Sequence, residues 1–130
     1  MIGAVVRKTK LPKRSLERAI EVHRELGPGL LESAYEQCLC YELNLRGLKF
    51  QKQVPLPVRY KEVLLDCGYR IDLLVEEIVI VELKTVEKLL PIHEAQLMTY
   101  LRLFKSPVGL LINFQVPVVK DGIKRIVNNF

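Results

Sequence analysis

Residues 69–84 read YRIDLLVEEIVIVELK and decide the fold of this chain. Two runs of mainly aliphatic residues, 69–75 and 78–86, flank Glu76-Glu77, which predicts two strands joined by a short turn. Residues 78–81 are apolar at every position, as expected for a central strand that is covered on both faces. Two acidic residues and a lysine stand inside these strands: Asp72, Glu82 and Lys84.

These three charged residues predict a metal site. Glu82 and Lys84 lie two positions apart on one strand, so their side chains point to the same face. The turn brings Asp72 beside them. Two bare carboxylates about 4 Å apart repel by roughly 4 kcal/mol at an effective dielectric constant near 20, and a divalent cation or a raised pKa relieves that repulsion. Oxygen ligands suit Mg²⁺ or Mn²⁺. The alternative is a solvated strand end at Glu82 and Lys84.

The predicted site depends on strand register. A two-residue turn at Glu76-Glu77 would pair Asp72 with Val81, and the two carboxylates would then point to opposite faces. A shared site therefore requires a three-residue connection, Glu76 to Ile78, or a bulge near Asp72.

The flanking sequence predicts helices on both sides of these strands. Ser15 is the expected N-cap of a first helix that ends at Leu26, before Gly27-Pro28-Gly29. Further helices are expected over residues 30–46 and 92–105, and further strands over residues 50–60, 63–65 and 108–114. A terminal hairpin is expected over residues 116–127. The order α-α-β-β-β-β-α-β-β predicts an α/β fold, a mixed sheet flanked by helices.

Two of these helices carry polar side chains toward the strands. The helical periodicity of residues 92–105 places His93, Gln96 and Tyr100 on the sheet-facing arc, which favours a polar cleft over isolated buried hydrogen bonds. In the second helix, Glu32 lies in the first turn, where it either complements the helix dipole or supplies a third carboxylate. The expected buried face of that helix comprises Leu30, Leu31, Ala34, Tyr35, Cys38, Tyr41 and Leu45.

Length and composition restrict the class of protein. The 130 residues, 49% of them hydrophobic, are expected to form a single domain over residues 1–130 with its own core. The three cysteines form no CxxC pair, which argues against a zinc knuckle, and an odd thiol count suits a reducing compartment. The longest uncharged stretch, residues 106–119, is too short to span a membrane. A cytoplasmic protein without membrane contact is therefore expected.

The positive charge is concentrated at the start of the chain. The net charge is +5, and residues 1–18 contain six basic side chains against one acidic one, so the remainder is neutral. With residues 1–13 as an arm, this segment suits a polyanion such as nucleic acid. A solvated tail that aids solubility is the alternative. The six basic residues are Arg7, Lys8, Lys10, Lys13, Arg14 and Arg18.

The spacing of these motifs resembles a known group of enzymes. Asp72, nine intervening residues, Glu82-Leu83-Lys84 and a Gln on the following helix resemble the PD-(D/E)xK nuclease superfamily. More narrowly, Gly29-Leu30-Leu31-Glu32-Ser33-Ala34-Tyr35 resembles the motif of the prokaryotic GxxExxY family. The resemblance extends from Ser15 to Val127. The proline of the superfamily motif is Ile71 here.

This resemblance implies a restriction-endonuclease-like core and a nuclease activity. Asp72 and Glu82, with Glu32, would hold Mg²⁺ or Mn²⁺, and Lys84 and Gln96 would complete the catalytic set. His23, Tyr35, His93 and Tyr100 would support it. The implied partner is nucleic acid, DNA rather than RNA.

Two other functions stay open at this point. One is a nucleic-acid-binding module that retains the fold without catalysis, and the other is an interaction protein with a structural polar cleft. A homodimer is compatible with the sequence.

Overall fold

The computed structural model describes the backbone of residues 2–128 and the side chains of residues 11–128. The elements in chain order are α1 (Ile2–Leu26), α2 (Glu32–Leu45), β1 (Phe50–Pro55), β2 (Val58–Tyr60), β3 (Val63–Leu65), β4 (Arg70–Val75), β5 (Val79–Lys84), α3 (Pro91–Phe104), β6 (Val108–Asn113) and β7 (Ile123–Val127), with a 3-10 helix, Val119–Gly122, before β7. Five strands form a mixed sheet in the order β1-β4-β5-β6-β7, and β2 pairs with β3 separately. The predicted α/β fold is confirmed.

The central strand is β5, which is buried on both faces as predicted. It pairs antiparallel with β4 and parallel with β6, because α3 carries the chain back across the sheet. The helices α1 and α2 pack on the face that contains Leu73, Val81 and Leu83. The helix α3 packs on the opposite face, against Leu74 and Ile80 among others. The candidate site lies at the end of β5, between these two layers.

The connection between β4 and β5 has three residues, Glu76 to Ile78. The ladder pairs Val75 with Val79 and Leu73 with Val81, and continuation of this register places Asp72 opposite Glu82. Glu76 and Glu77 both adopt positive φ, which closes the turn. The geometric condition for a shared site is therefore met.

The first helix begins well before the predicted N-cap. It starts at Ile2, and Ser15 lies in its interior with its side chain buried. Pro12 is inside the helix, where proline removes a hydrogen-bond donor. Buried side chains on both sides of it, including Leu11 and Ala19, pack into the core and hold the helix continuous. The side chains of Arg7, Lys8 and Lys10 lie outside the described residues, whereas Lys13 and Arg14 are exposed.

The predicted buried face of α2 is confirmed at Tyr35 and wrong at Leu31 and Tyr41. The buried stripe runs through Tyr35, Leu39 and Leu43, together with Cys40. Leu31 and Tyr41 are instead 77% and 63% exposed. Apolar residues surround this helix, so its periodicity does not define one face, and the packing against α1 and the sheet selects the stripe.

Two strand predictions also change. The expected strand over residues 50–60 is divided into β1 and β2, because Pro55 and Pro57 cannot donate to a ladder. The C-terminal hairpin is wrong: the 3-10 helix precedes β7, and β7 pairs antiparallel with β6. Gly122 allows this arrangement, since a Cβ atom there would collide with the carbonyl oxygen of Asn113.

No helix in the described part of the chain is long and apolar enough to cross a bilayer.

Candidate active site

The backbone ladder between β4 and β5 ends before Asp72 and Glu82, and side-chain hydrogen bonds join the two strands at these residues. The backbone N–H of Asp72 donates to Glu82 Oε1 at 3.3 Å. The backbone N–H of Leu83 donates to Asp72 Oδ2 at 2.9 Å. Each carboxylate thus accepts a hydrogen bond from the backbone of the neighbouring strand. These bonds hold the two carboxyl groups side by side, as the sequence predicted.

The Glu82 carboxyl group is 6% exposed, and its environment disfavours its charged form. Burial is the largest cause and the neighbouring Asp72 charge is the second, and together they raise the pKa of Glu82 to about 9. The Lys84 ammonium group lowers this pKa only in part. Ionisation of this carboxyl group is costly in the absence of a counter-charge, and a bound cation would lower that cost.

Lys84 lies two residues after Glu82 on the same face of β5, and it is half-buried. Three ion pairs join the side chains of residues 11–128, and Lys84 belongs to none of them. The lysine is therefore close enough to influence Glu82 but is not bound to it as a structural salt bridge. Among residues 11–128, no carboxylate forms an ion pair with its ammonium group.

Glu32 reaches the same region from the first turn of α2. Burial and the charge of Asp72 raise the pKa of Glu32, and the Lys84 ammonium opposes that rise. These mutual effects place Glu32, Asp72 and Lys84 in one electrostatic neighbourhood. The third carboxylate expected from the sequence is therefore near the strand residues.

The buried Tyr35 side chain holds the loop that precedes Glu32, and the buried His23 side chain holds the segment that follows β6. The Tyr35 hydroxyl donates to the carbonyl oxygen of Gly27 and accepts from the N–H of Leu30 at 3.2 Å. The Tyr35 ring stacks on Phe114 with 4.3 Å between centroids. His23 Nε2 lies 2.8 Å from the carbonyl oxygen of Val116. Tyr35 thus fixes the start of α2 and His23 holds the segment after β6, and neither side chain is hydrogen-bonded to the carboxylates.

The third helix supplies the predicted polar residues in a different arrangement. Tyr100 is buried, and burial raises the pKa of its phenol, with the Glu82 charge a smaller cause. Gln96 Nε2 donates to the Tyr100 hydroxyl at 3.1 Å, but Gln96 itself is exposed, since Tyr100 fills the sheet-facing position. His93 accepts at Nδ1 from the N–H of Leu90 at 2.9 Å and so caps α3. The expectation that Gln96 faces the sheet is wrong, and His93 is held at the helix start.

Gln53 and Glu36 are part of this site and were not predicted. Gln53 Nε2 donates to Glu36 Oε2 at 3.1 Å and Oε1 at 3.3 Å, and lies 3.5 Å from Asp72 Oδ1. Gln53 has a φ of 54°, which is rare for a residue with a side chain. The β1–β4 ladder lacks the pair between Gln53 and Asp72. The sequence feature that could have indicated Glu36 is its position one helical turn after Glu32, which places both carboxylates on the same side of α2.

A family model described as the PD-(D/E)XK nuclease superfamily matches residues 9–126.

The chain belongs to the PD-(D/E)XK nuclease superfamily.

Neither the curated proteins nor the solved structures that were searched contain a match to this chain. The superfamily assignment fits the observed architecture, with its mixed sheet between helical layers.

The residues that resemble the superfamily motif form the observed carboxylate pair. Ile71-Asp72 is the segment that resembles the first half of the motif, and Glu82-Leu83-Lys84 resembles the second. Ile71, which is buried, stands at the position of the proline that names the motif, and the hydrogen bonds to the neighbouring strand are made by Asp72.

Nucleases of this superfamily generally use divalent metals, and the donor set here fits such an ion. Asp72 and Glu82 offer oxygen ligands, which hard cations such as Mg²⁺ prefer. Among residues 11–128, no group of three or more His, Cys, Asp and Glu side chains is gathered closely enough to hold a metal by itself. Mg²⁺ is commonly bound through one or two carboxylates, with water and substrate phosphate as the other ligands.

Proposed function

We propose that this protein is a metal-dependent nuclease that hydrolyses phosphodiester bonds, with DNA rather than RNA as its substrate. The observation that carries the proposal is the register of β4 and β5. The observed β4–β5 ladder ends at the pair of Leu73 and Val81, and the next positions are Asp72 and Glu82, whose carboxylates each accept a hydrogen bond from the backbone of the opposite strand. Lys84 follows on the same strand as Glu82 and lies outside every ion pair of the described side chains. A structural polar cluster would instead be expected to pair its charges internally.

In this proposal, Asp72 and Glu82 hold Mg²⁺ or Mn²⁺, and Glu32 would supply a third carboxylate once the ion has drawn it closer than it lies in this structure. The bound ion would polarise the scissile phosphate and lower the pKa of the attacking water. Glu82 must release its proton before its oxygens can act as a ligand, so ion binding should be coupled to pH.

The other residues act on substrate charge and position. The Lys84 ammonium would neutralise charge that develops on the phosphate or orient the attacking water. Gln96 would contact that water or Lys84 from the open side of the cleft, with Tyr100 as its hydrogen-bond partner. Gln53 holds Glu36 and approaches Asp72. Tyr35 would act indirectly by fixing the loop before Glu32, and His23 by holding the segment after β6.

The GxxExxY assignment is part of this proposal. The motif residue Glu32 lies beside the carboxylate pair, and the motif residue Tyr35 holds the Gly27–Leu30 loop through its hydroxyl. Glu32 and Tyr35 are three positions apart, so the residue that would bind the ion is next to the residue that holds the preceding loop in place. This arrangement supports placing this chain in that family.

DNA contact would extend along α1 in the same proposal. Lys13 and Arg14 are exposed on this helix and Arg18 is partly exposed. Together with Arg7, Lys8 and Lys10, they would neutralise backbone phosphates, which gives affinity without base specificity.

A cleavage screen tests the nuclease proposal. Single-stranded, duplex, nicked and branched DNA, and RNA of matched sequence, are incubated with Mg²⁺, Mn²⁺ or EDTA. Cleavage should require the metal and disappear in Glu82→Ala, while Glu77→Ala, which removes an exposed carboxylate from the adjacent turn, should cleave like the wild type. DNA binding without cleavage under every metal condition would favour the non-catalytic binding module. The absence of any salt-sensitive DNA affinity would favour a structural cleft.

A further inference from the structure

The hairpin formed by β2 and β3 projects from the molecule next to the candidate site. Its strands pair only with each other, through a two-residue turn at Lys61-Glu62. Every residue from 59 to 70 is exposed. The hairpin therefore forms no part of either core, although it connects β1 to the strand that carries Asp72.

This hairpin exposes an unusual amount of apolar surface. Tyr60 is 61% exposed, Leu64 58% and Val63 55%, and Leu65 and Tyr69 are also exposed. In the observed register Tyr60 lies opposite Val63, so both point to one face, whereas Leu64 points to the other. A two-stranded hairpin is marginally stable in water, and clustered exposed apolar side chains mark a surface that contacts a partner.

The base of the hairpin is fixed against the candidate site. The N–H of Leu56, which is buried, donates to the carbonyl oxygen of Tyr69 at 2.9 Å. The Tyr69 ring lies 5.8 Å from that of Tyr100. Asp72 lies three positions after Tyr69 in extended chain, which is a distance of about 10 Å. A chain bound with its phosphate at Asp72 would therefore reach Tyr69, at the base of the hairpin, within one or two nucleotides, and the strands of the hairpin extend from there.

The charges of the hairpin suit a polyanion. Arg59, Lys61 and Arg70 form no ion pair with any side chain of residues 11–128. The Lys61 ammonium lies over the Tyr60 ring, 5.6 Å from its centroid. Of the two acidic residues in this segment, Asp66 accepts from the N–H of Gly68 within the loop. The carboxylates of the neighbouring site repel an anion, so these cations are the attractive groups on this side.

We propose that the β2–β3 hairpin binds unpaired nucleotides beside the scissile phosphate, so that the substrate is single-stranded DNA or a junction between single and double strands. The proposal rests on the nuclease function proposed above. Aromatic and apolar side chains stack on base faces, which are accessible only where bases are unpaired, and nearby cations bind the phosphates between them. A uniformly paired duplex offers its phosphates but not its base faces.

Binding assays with matched variants test this proposal. Fluorescence anisotropy in EDTA measures the affinity of a labelled 20-nucleotide strand and of the same sequence as a blunt duplex. Tyr60→Ser should weaken single-strand binding about 5- to 150-fold, the range measured for one base–aromatic stack, and leave duplex binding within about 2-fold. Tyr41→Ser is the control, because Tyr41 is equally exposed at 63% but lies on α2, and it should change neither affinity.

The outcomes separate the two proposals. If the wild type binds no nucleic acid and cleaves none with metal, the nuclease proposal and this one both fail. If the wild type binds and cleaves, but Tyr60→Ser and Tyr41→Ser have equal single-strand affinity, the hairpin proposal alone is overturned. It is also overturned if Tyr60→Ser converts a dimer to a monomer with unchanged DNA binding, since the hairpin would then contact a second copy of this chain. Unchanged melting temperatures in both variants verify that the fold is intact.

Discussion

Replacement of Glu82 by Gln should stabilise the metal-free protein at neutral pH. In the folded protein, burial and the Asp72 carboxylate raise the pKa of Glu82 from its ordinary 4.5 to about 9. In the unfolded chain the group titrates at its ordinary value. At pH 7 the wild type must therefore take up nearly one proton in order to fold. A glutamine side chain is neutral at every pH, and it can still accept from the N–H of Asp72 and donate to its carboxylate.

The magnitude follows from this proton uptake. Each pH unit between the two pKa values costs the folded state about 1.4 kcal/mol. Between pH 4.5 and pH 7 the cost reaches about 3 kcal/mol, which is the largest stabilisation that Glu82→Gln can produce at pH 7. The sign follows because the folded pKa is raised: the wild type is relatively most stable below pH 4.5 and loses stability as pH rises toward 9. The difference between variant and wild type should vanish near pH 4.5.

Thermal and urea unfolding in EDTA between pH 4.5 and pH 8 measure this difference. At pH 7 the variant should melt roughly 10 °C above the wild type, given about 3–4 °C per kcal/mol for a domain of this size. Glu77→Gln serves as the control, since its exposed carboxylate lies in the adjacent turn. Mg²⁺ should reduce the difference in melting temperature between the variant and the wild type. An ion at 100 times its Kd adds about 2.7 kcal/mol to the free energy of unfolding of the wild type alone.

The contrary result is a strong destabilisation by Glu82→Gln at pH 7 without metal. It would mean that Glu82 is ionised and bound to Lys84 in the folded protein. The carboxylate pair would then be a structural salt bridge, and the metal site would be refuted.

Three further predictions concern the surroundings of this pair. Lys84→Met should leave the stabilisation by Mg²⁺ unchanged and lower the cleavage rate about 100-fold or more; loss of the Mg²⁺ effect would instead make the lysine part of ion binding. Gln53→Ala should raise the Mg²⁺ concentration for half-maximal cleavage several-fold, because it removes the amide that approaches Asp72. Gln51→Ala is the control, since Gln51 is exposed on the same strand, and it should leave that concentration unchanged. The double substitution Lys13→Ser and Arg14→Ser should change how steeply duplex affinity falls with salt. The slope of log affinity against log salt concentration should decrease by about 0.9 for each DNA phosphate that these side chains no longer neutralise. An unchanged slope would mean that the positive charge at this end of α1 serves solubility.

The core of the candidate site was predictable because it is local. Asp72, Glu82 and Lys84 lie within 13 residues, on two strands joined by a short turn, so the alternation of side chains nearly determines their placement. The three-residue connection from Glu76 to Ile78 decided the register. The strand is also irregular at Asp72, since Ile71 and Leu74 pack into the same core cluster and the β1–β4 ladder is interrupted there. The carboxylate pair is therefore a property of one short segment.

The rest of the site depends on contacts between distant segments, which no local pattern describes. Gln53 touches Glu36, 17 residues earlier, and approaches Asp72, 19 residues later, and it does so from a backbone conformation that favours glycine. Nothing in the sequence around Gln53 indicates that φ, because tertiary packing imposes it.

The sequence by itself determined the α/β class, the central strand β5 and the residues of the carboxylate pair, since each follows from hydrophobic periodicity over a few residues. Only the tertiary structure decided which stripe of α2 is buried, that α1 continues through Pro12, and that Tyr100 rather than Gln96 fills the position against the sheet. In each of these places several arrangements bury similar amounts of apolar surface. The free energy that selects one of them comes from packing against residues far away in the chain.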